Sequence, residues 1–392
     1  MFRYFLSQAH QPFFALAMFN AIVAMLVFML NYKGVLTLGL ESKVFHIYTL
    51  IFLFFSNFLH GFLLTTFPRF NQYKDISQKF YKTLFFSSVA ASLLFYVGVF
   101  FSFYALVAAM GLVVFIELAV SIQLHTIYNK GAAVDKRDSY WILTAKYFGV
   151  LGSGVFLFVV LASYFQFGNG KDFSPLAIYL SFYLYLVFLA FSVAQRMVPF
   201  FSHVFVNISN KFLQAVFTLF VLHTLFSIGQ QQIVVMVIDT FLGVLLFVEF
   251  AKWKLPLTSS PAILWVLHLA LFWLPTAFII SSFSAAAEVF LHISTFALSA
   301  HLFAIGFLTT ILLGFGSRVI LGHSGRALEA DKLTIALFYL TQVVVLSRVA
   351  YSLNLAFNWN LAWLFDMSAG LWLVLFFVWA GKYMPYLFKK AQ

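Results

Sequence analysis

Ten histidines, twelve carboxylates and no cysteine are the side chains with which this 392-residue sequence can do chemistry. Lacking cysteine, it can form no disulfide, no thiolate zinc or iron–sulfur site and no covalently attached c-type haem. A metal or a haem must then rest on histidine, methionine, carboxylate or backbone. No histidine stands three or four residues from another, so no single helix offers the paired ligands of an H-E-x-x-H site. Any such centre has to be assembled between helices.

The stretch from Ala300 to Leu328 concentrates the most suggestive groups. His301 lies in apolar sequence, and Arg318, His323 and Arg326 follow among Gly314, Gly316, Gly322 and Gly325. A histidine in lipid is costly and usually functional, and two arginines on a glycine-hinged loop can grip carboxylates or phosphates bidentately. The plain counter-reading is that cations after a helix C-terminus are stabilised by the helix dipole.

Other spacings carry less. His46 and His60, fourteen residues apart, return to within roughly 40° of one face about 21 Å deeper, a layout by which one helix serves two stacked haems. No second helix repeats that interval. A lone membrane histidine reads most simply as a neutral imidazole bonded to a neighbouring helix, and His60, His223 and His292 are read so. Helical rise puts His46 in the first turn of a second span, His301 and His223 towards mid-membrane, and His60 and His268 in the inner half. His10, His125, His203 and His323 fall at the inner rim. Glu117 and Asp239 are intramembrane carboxylates of the kind that mark proton or ion paths, and Arg348 and Asp366 are expected to pair across a hairpin.

The elements that must position these groups are membrane helices. Hydrophobic residues make up 63% of the chain and charged residues 9%, with a mean hydropathy of +0.98, where a soluble globule would carry roughly a quarter charged. A bilayer core about 30 Å thick needs roughly 20 apolar residues per helix. Twelve spans are predicted, at 13–32, 44–67, 82–101, 103–127, 141–166, 175–195, 212–228, 230–251, 261–282, 288–315, 333–353 and 361–383. The fold class is thus an all-α polytopic bundle, one integral membrane domain over 1–392, with no evident internal repeat.

Of the 23 Lys and Arg, all but Lys33, Lys43, Lys171 and Arg348 fall on the N-terminal side of these spans. Positive residues stay in the cytoplasm, so both termini are expected there. The net charge of +11 is therefore topological, and nucleic acid is not an expected partner.

The segment SRVILGHSGRAL at 317–328 resembles the TRVxLGHTGRxL signature of the NnrS family. So do QPFFALA at 11–17, GFLLTTFPRF at 61–70, QRMVPFFS at 195–202, LWVLHLALFWLP at 264–275 and AHLFAIG at 300–306, in the same order along nearly the whole chain. The resemblance implies a twelve-span bacterial inner-membrane protein containing haem and copper, linked to nitric oxide, nitrosative stress and denitrification. It also implies that His46, His268, His301 and His323 match the family's histidines, and that Arg196, Pro199, Arg318 and Arg326 match its arginine and proline positions. The family motif WHxHEM is altered: Phe45, Tyr48 and Thr49 stand where it has tryptophan, histidine and glutamate.

Together these lines predict b-type haem held by histidines from separate helices, with His46 and His301 as axial candidates and nitric oxide as the ligand of its iron. Arg318, Arg326 and Arg196, with His323, would hold propionates or another anion, and His46, His268 and His301 are the candidate metal ligands, copper included. Lipid is the surrounding partner. Two other classes remain open: a quinol-linked nitric oxide reductase or oxidase of haem-copper type, and a haem or copper transporter.

Overall fold

The computed structural model describes residues 2–167, 170–257 and 259–391. Among them are helices and turns and no strand. Twelve helices are long and apolar enough to cross a membrane: α1 His10–Tyr32, α2 Ser42–Phe70, α3 Gln78–Phe101, α4 Phe103–Lys130, α5 Arg137–Phe165 and α6 Ser174–Phe201 in the first half. In the second half are α7 Asn210–Ile228, α8 Gln232–Lys252, α9 Ala262–Leu291, α10 Leu298–His323, α11 Lys332–Phe357 and α12 Trp363–Phe388. The chain is a multi-pass membrane protein. Its outward faces carry large apolar side chains such as Phe86, Leu93, Ile122 and Val237, as a surface solvated by lipid tails requires.

The tight division between α3 and α4 has a local cause. Ser102 is extended, at φ −156° and ψ 113°, and its hydroxyl accepts from the Ala105 amide, capping α4. Gly98 lets the hairpin close, because a Cβ there would lie 2.3 Å from the Leu106 nitrogen. One boundary differs from the sequence expectation. Helix α9 runs on to Leu291, and the break falls at 292–297, where His292, Phe296 and Ala297 adopt φ of 56°, 45° and 58°. Neither glycine nor proline marks that turn, and so α10 begins ten residues later than expected.

The chain divides into two compact units, Met1–Leu189 with Ala380–Gln392, and Ala190–Trp379. In the first, Asn20 of α1 donates to the Leu53 carbonyl and to Ser92 of α3, and the Phe14 and Phe58 rings stack at 4.1 Å between centroids. In the second, Trp273 of α9 donates to Gln342 of α11 at 2.8 Å, and Trp379 of α12 to Ser317 of α10 at 3.0 Å.

A recurrence appears that the sequence did not announce. Helices α2, α6 and α10 each contain a wide π-helical segment: Thr49–Phe55, Leu180–Val187 and Leu302–Thr309. Hydroxyls occupy some of the slack, since Ser56, Thr309 and Thr310 each donate to the carbonyl five residues back. All three helices also finish alike. Asn71, Ser202 and Ser324 donate their amides to Phe67, Val198 and Ile320 four residues back, and the next amide but one turns back to Pro68, Pro199 and Leu321. Between them sits a left-handed residue, Gln72, His203 or Gly325, at φ 50°, 54° and 74°. Each π segment opens 22 residues before its cap, Thr49 to Asn71, Leu180 to Ser202 and Leu302 to Ser324.

Candidate functional site

π segments widen a helix and recur at functional positions, and two of the three open within three residues of a predicted ligand. His46 lies four residues into α2 and three before its π segment. It is half-buried, with its ring stacked on Phe28 at 4.1 Å. His301 lies three residues into α10 and immediately before the π segment there. The late start of α10 therefore corrects its depth: His301 is a first-turn residue, as His46 is, and not a mid-membrane one.

The His301 imidazole is oriented by its own backbone. Nδ1 donates to the Ala297 carbonyl at 2.8 Å, which puts the ring lone pair on Nε2. Metal-ligating histidines are usually fixed in this way, with the second nitrogen bonded to a carbonyl or carboxylate. The donor thus fits a nitrogen ligand that would hold a haem iron. For copper the fit is poor: among the described residues, no three His, Asp or Glu side chains gather as a metal-holding group. The two family positions that could have added donors are filled otherwise. Tyr48 is buried against Phe95, the rings 5.0 Å apart and 9° from parallel, and Thr49 donates to the Phe45 carbonyl.

The remaining predicted residues collect at the other end of their helices, within the second unit. His268, six residues into α9, is fully buried and its Nε2 lies 2.7 Å from the Ser202 hydroxyl at the end of α6. Arg318, near the end of α10, sits over the Phe201 ring at 4.2 Å. His323 ends α10, and Arg326 follows in its capping turn, donating its amide to Leu321. Arg196 and Arg318 hold matching places, each six residues before the capping serine. The end of α6, the start of α9 and the end of α10 therefore meet.

Helical rise keeps the two ends apart. His268 and His301 lie towards opposite ends of the α9–α10 hairpin, on the order of 35 Å along α9. From His301 to Arg318 is about 25 Å, too far for propionates of a haem on His301. Anions held by Arg318 would belong to a different ligand.

Lys146 and Tyr185 are the groups here that the sequence does not single out. Lys146, one of the cations counted on the N-terminal side, is fully buried in α5, paired with Glu117 of α4, with His60 of α2 and Tyr185 of α6 around them. His60 is thereby bonded through Nε2 to neighbouring helices, and the π segment between it and His46 shifts their angular register. His223 bonds Asp239 across α7 and α8 at 2.6 Å, both buried. His10 is buried edge-on against Phe14 rather than solvated. Arg348 donates to Ser352 at 2.6 Å and lies over Tyr351. The available signal for Lys146 was its place inside an apolar run with no breaker on either side.

A comparison with protein-family models matches residues 4–390 to NnrS, described as NnrS protein. No curated protein matches the chain.

Proposed function

The chain belongs to the NnrS family and is a nitric-oxide-response-associated membrane protein; from that premise we propose that it binds b-type haem and acts on nitric oxide through it. The observation that carries the reading is the His301 imidazole, held by the Ala297 carbonyl at the mouth of a π segment. His46, in the first turn of α2, is a second candidate ligand in its own unit. Bound iron would supply direct ligation of nitric oxide. The protein's part is to fix the imidazole tautomer, to surround the group with apolar walls and to keep water away. Arg196, Arg318 and Arg326 would hold an anionic group at the far end of their helices, and the bacterial inner membrane, with both termini in the cytoplasm, is the proposed setting.

An absorption spectrum of the purified protein, oxidised, dithionite-reduced and then exposed to nitric oxide, tests this directly. The haem band should be present and should move on nitric oxide addition. In His301→Ala the haem content should fall at least several-fold while the amount of protein inserted in the membrane stays level. Unchanged haem content in that variant removes His301 from the ligand set; a wild-type protein without haem leaves the transporter reading standing instead.

A further inference from the structure

The strongest unassigned chemistry lies in the first unit, among groups the haem reading does not use. Lys146 Nζ is paired with Oε2 of Glu117 and also lies 3.1 Å from His60 Nε2 and 3.3 Å from the Tyr185 hydroxyl. Glu117 Oε1 faces His60 Nε2 at 3.2 Å and accepts from Tyr185 at 3.2 Å. Tyr185 in turn reaches the Ser56 hydroxyl at 2.9 Å. All are buried, and all lie near the middle of spans, where isolated charges are expensive.

His60 has two faces. Its Nε2 looks at both members of the ion pair, and its Nδ1 has no protein partner. Beside the ring is a small cavity of about 10 Å³, lined by His60, Asn57, Ser88 and Glu117 together with Phe52 and Ala91. Asn57 Oδ1 and Ser88 Oγ are also buried without a protein partner. Three orphan polar atoms around room for roughly one water molecule are the conditions under which a buried water is retained.

We propose that His60, Glu117 and Lys146 form a proton-storing site in the membrane interior, loaded through a water molecule held by His60, Asn57 and Ser88. The imidazole is the carrier because each of its neutral tautomers has a partner: with hydrogen on Nε2 it donates to Glu117, and with hydrogen on Nδ1 it donates to the cavity water and accepts from Lys146. In loading, hydronium gives a proton through that water to Nδ1. The Nε2 proton passes to Oε1 of Glu117, and the imidazole is left neutral with hydrogen on Nδ1. No electrons move, and the cluster gains one positive charge. Unloading reverses the route. The titratable groups facing Glu117 are Lys146 from α5, His60 from α2 and Tyr185 from α6, and Tyr48 is a further phenol within electrostatic reach; α3 contributes the Ser88 hydroxyl.

The test is infrared difference spectroscopy on full-length protein in lipid nanodiscs, stepped from high to low pH within its folded range. The expected result is a protonated-carboxyl band that shifts in D₂O and upon ¹³C labelling of glutamate, is lost in Glu117→Gln, and appears at least tenfold more slowly in His60→Gln or in Ser88→Val. A purely structural ion pair would give no such rate effect. Labelled wild-type protein without a titrating glutamate band, or variants of His60 and Ser88 that both load at the wild-type rate, overturns the proposal. Because the labelling readout uses the unaltered chain, it holds even where Glu117→Gln does not fold.

Discussion

At the residue scale, Lys146 shows how a buried charge is tolerated. Its ammonium is surrounded by a carboxylate, an imidazole nitrogen, a phenol oxygen and the face of the Tyr185 ring, 4.8 Å from its centroid. Removing one member of a buried pair typically costs about 3–5 kcal/mol, because the other is stranded. Lys146→Met should therefore lower the melting temperature of the purified protein sharply, and the double variant Lys146→Met with Glu117→Gln should restore most of it. A double variant no more stable than the single one would show that the pair is not what holds these helices. The carboxylate was legible in the sequence as an intramembrane charge, but its partner was not. The predicted span at 141–166 already holds Lys146 near its start, where lysine counts as a topogenic cation, and only the fold shows that its ammonium is buried against Glu117.

At the element scale, all twelve helices were legible from hydropathy, since apolar runs of that length have few alternatives. The π segments were not. They depend on which carbonyl each amide chooses, and Leu, Phe and Thr suit either choice. The break at 292–297 was hidden for a related reason, because three non-glycine residues carry its left-handed turns. The shared helix ending makes a specific prediction. Gly325 is left-handed with open space where a Cβ would go, and its counterparts Gln72 and His203 take the same conformation. Gly325→Gln should then cost only roughly 1–2 kcal/mol, measured as a small drop in thermal stability. Gly325→Val should lose clearly more, since a β-branched chain is a poor occupant of that region. Equal losses would mean that the side chain at 325 meets a constraint beyond the backbone.

At the scale of the whole molecule, the proposed cytoplasmic placement of both termini does not depend on Lys146. Arg3, Arg69, Lys74, Lys130, Lys136 and Arg137 still weight one side, and an even number of crossings returns the C-terminus to it. Fluorescent-protein fusions at either terminus should both fluoresce in a bacterial host, because that fold matures in the cytoplasm; a dark C-terminal fusion on an abundant, inserted protein would break the even count. The candidate ligands were legible as residues but not as a grouping. His301 and His268 look alike in sequence, and only the true start of α10 sends them to opposite ends of the hairpin.

The matched endings of α2, α6 and α10, four spans apart each time, place these three helices in one register. Counting back from the capping residue gives every position two relatives elsewhere in the chain: Arg196 and Arg318 answer to Thr65, while His60 answers to Phe191 and Leu313. The shared register thus sets a polar residue of one helix against apolar residues of the others, and an arginine of α6 and α10 against a threonine of α2. Placing arginine at Thr65 asks of the molecule whether α2 accepts, at that turn, the cation that α6 and α10 carry.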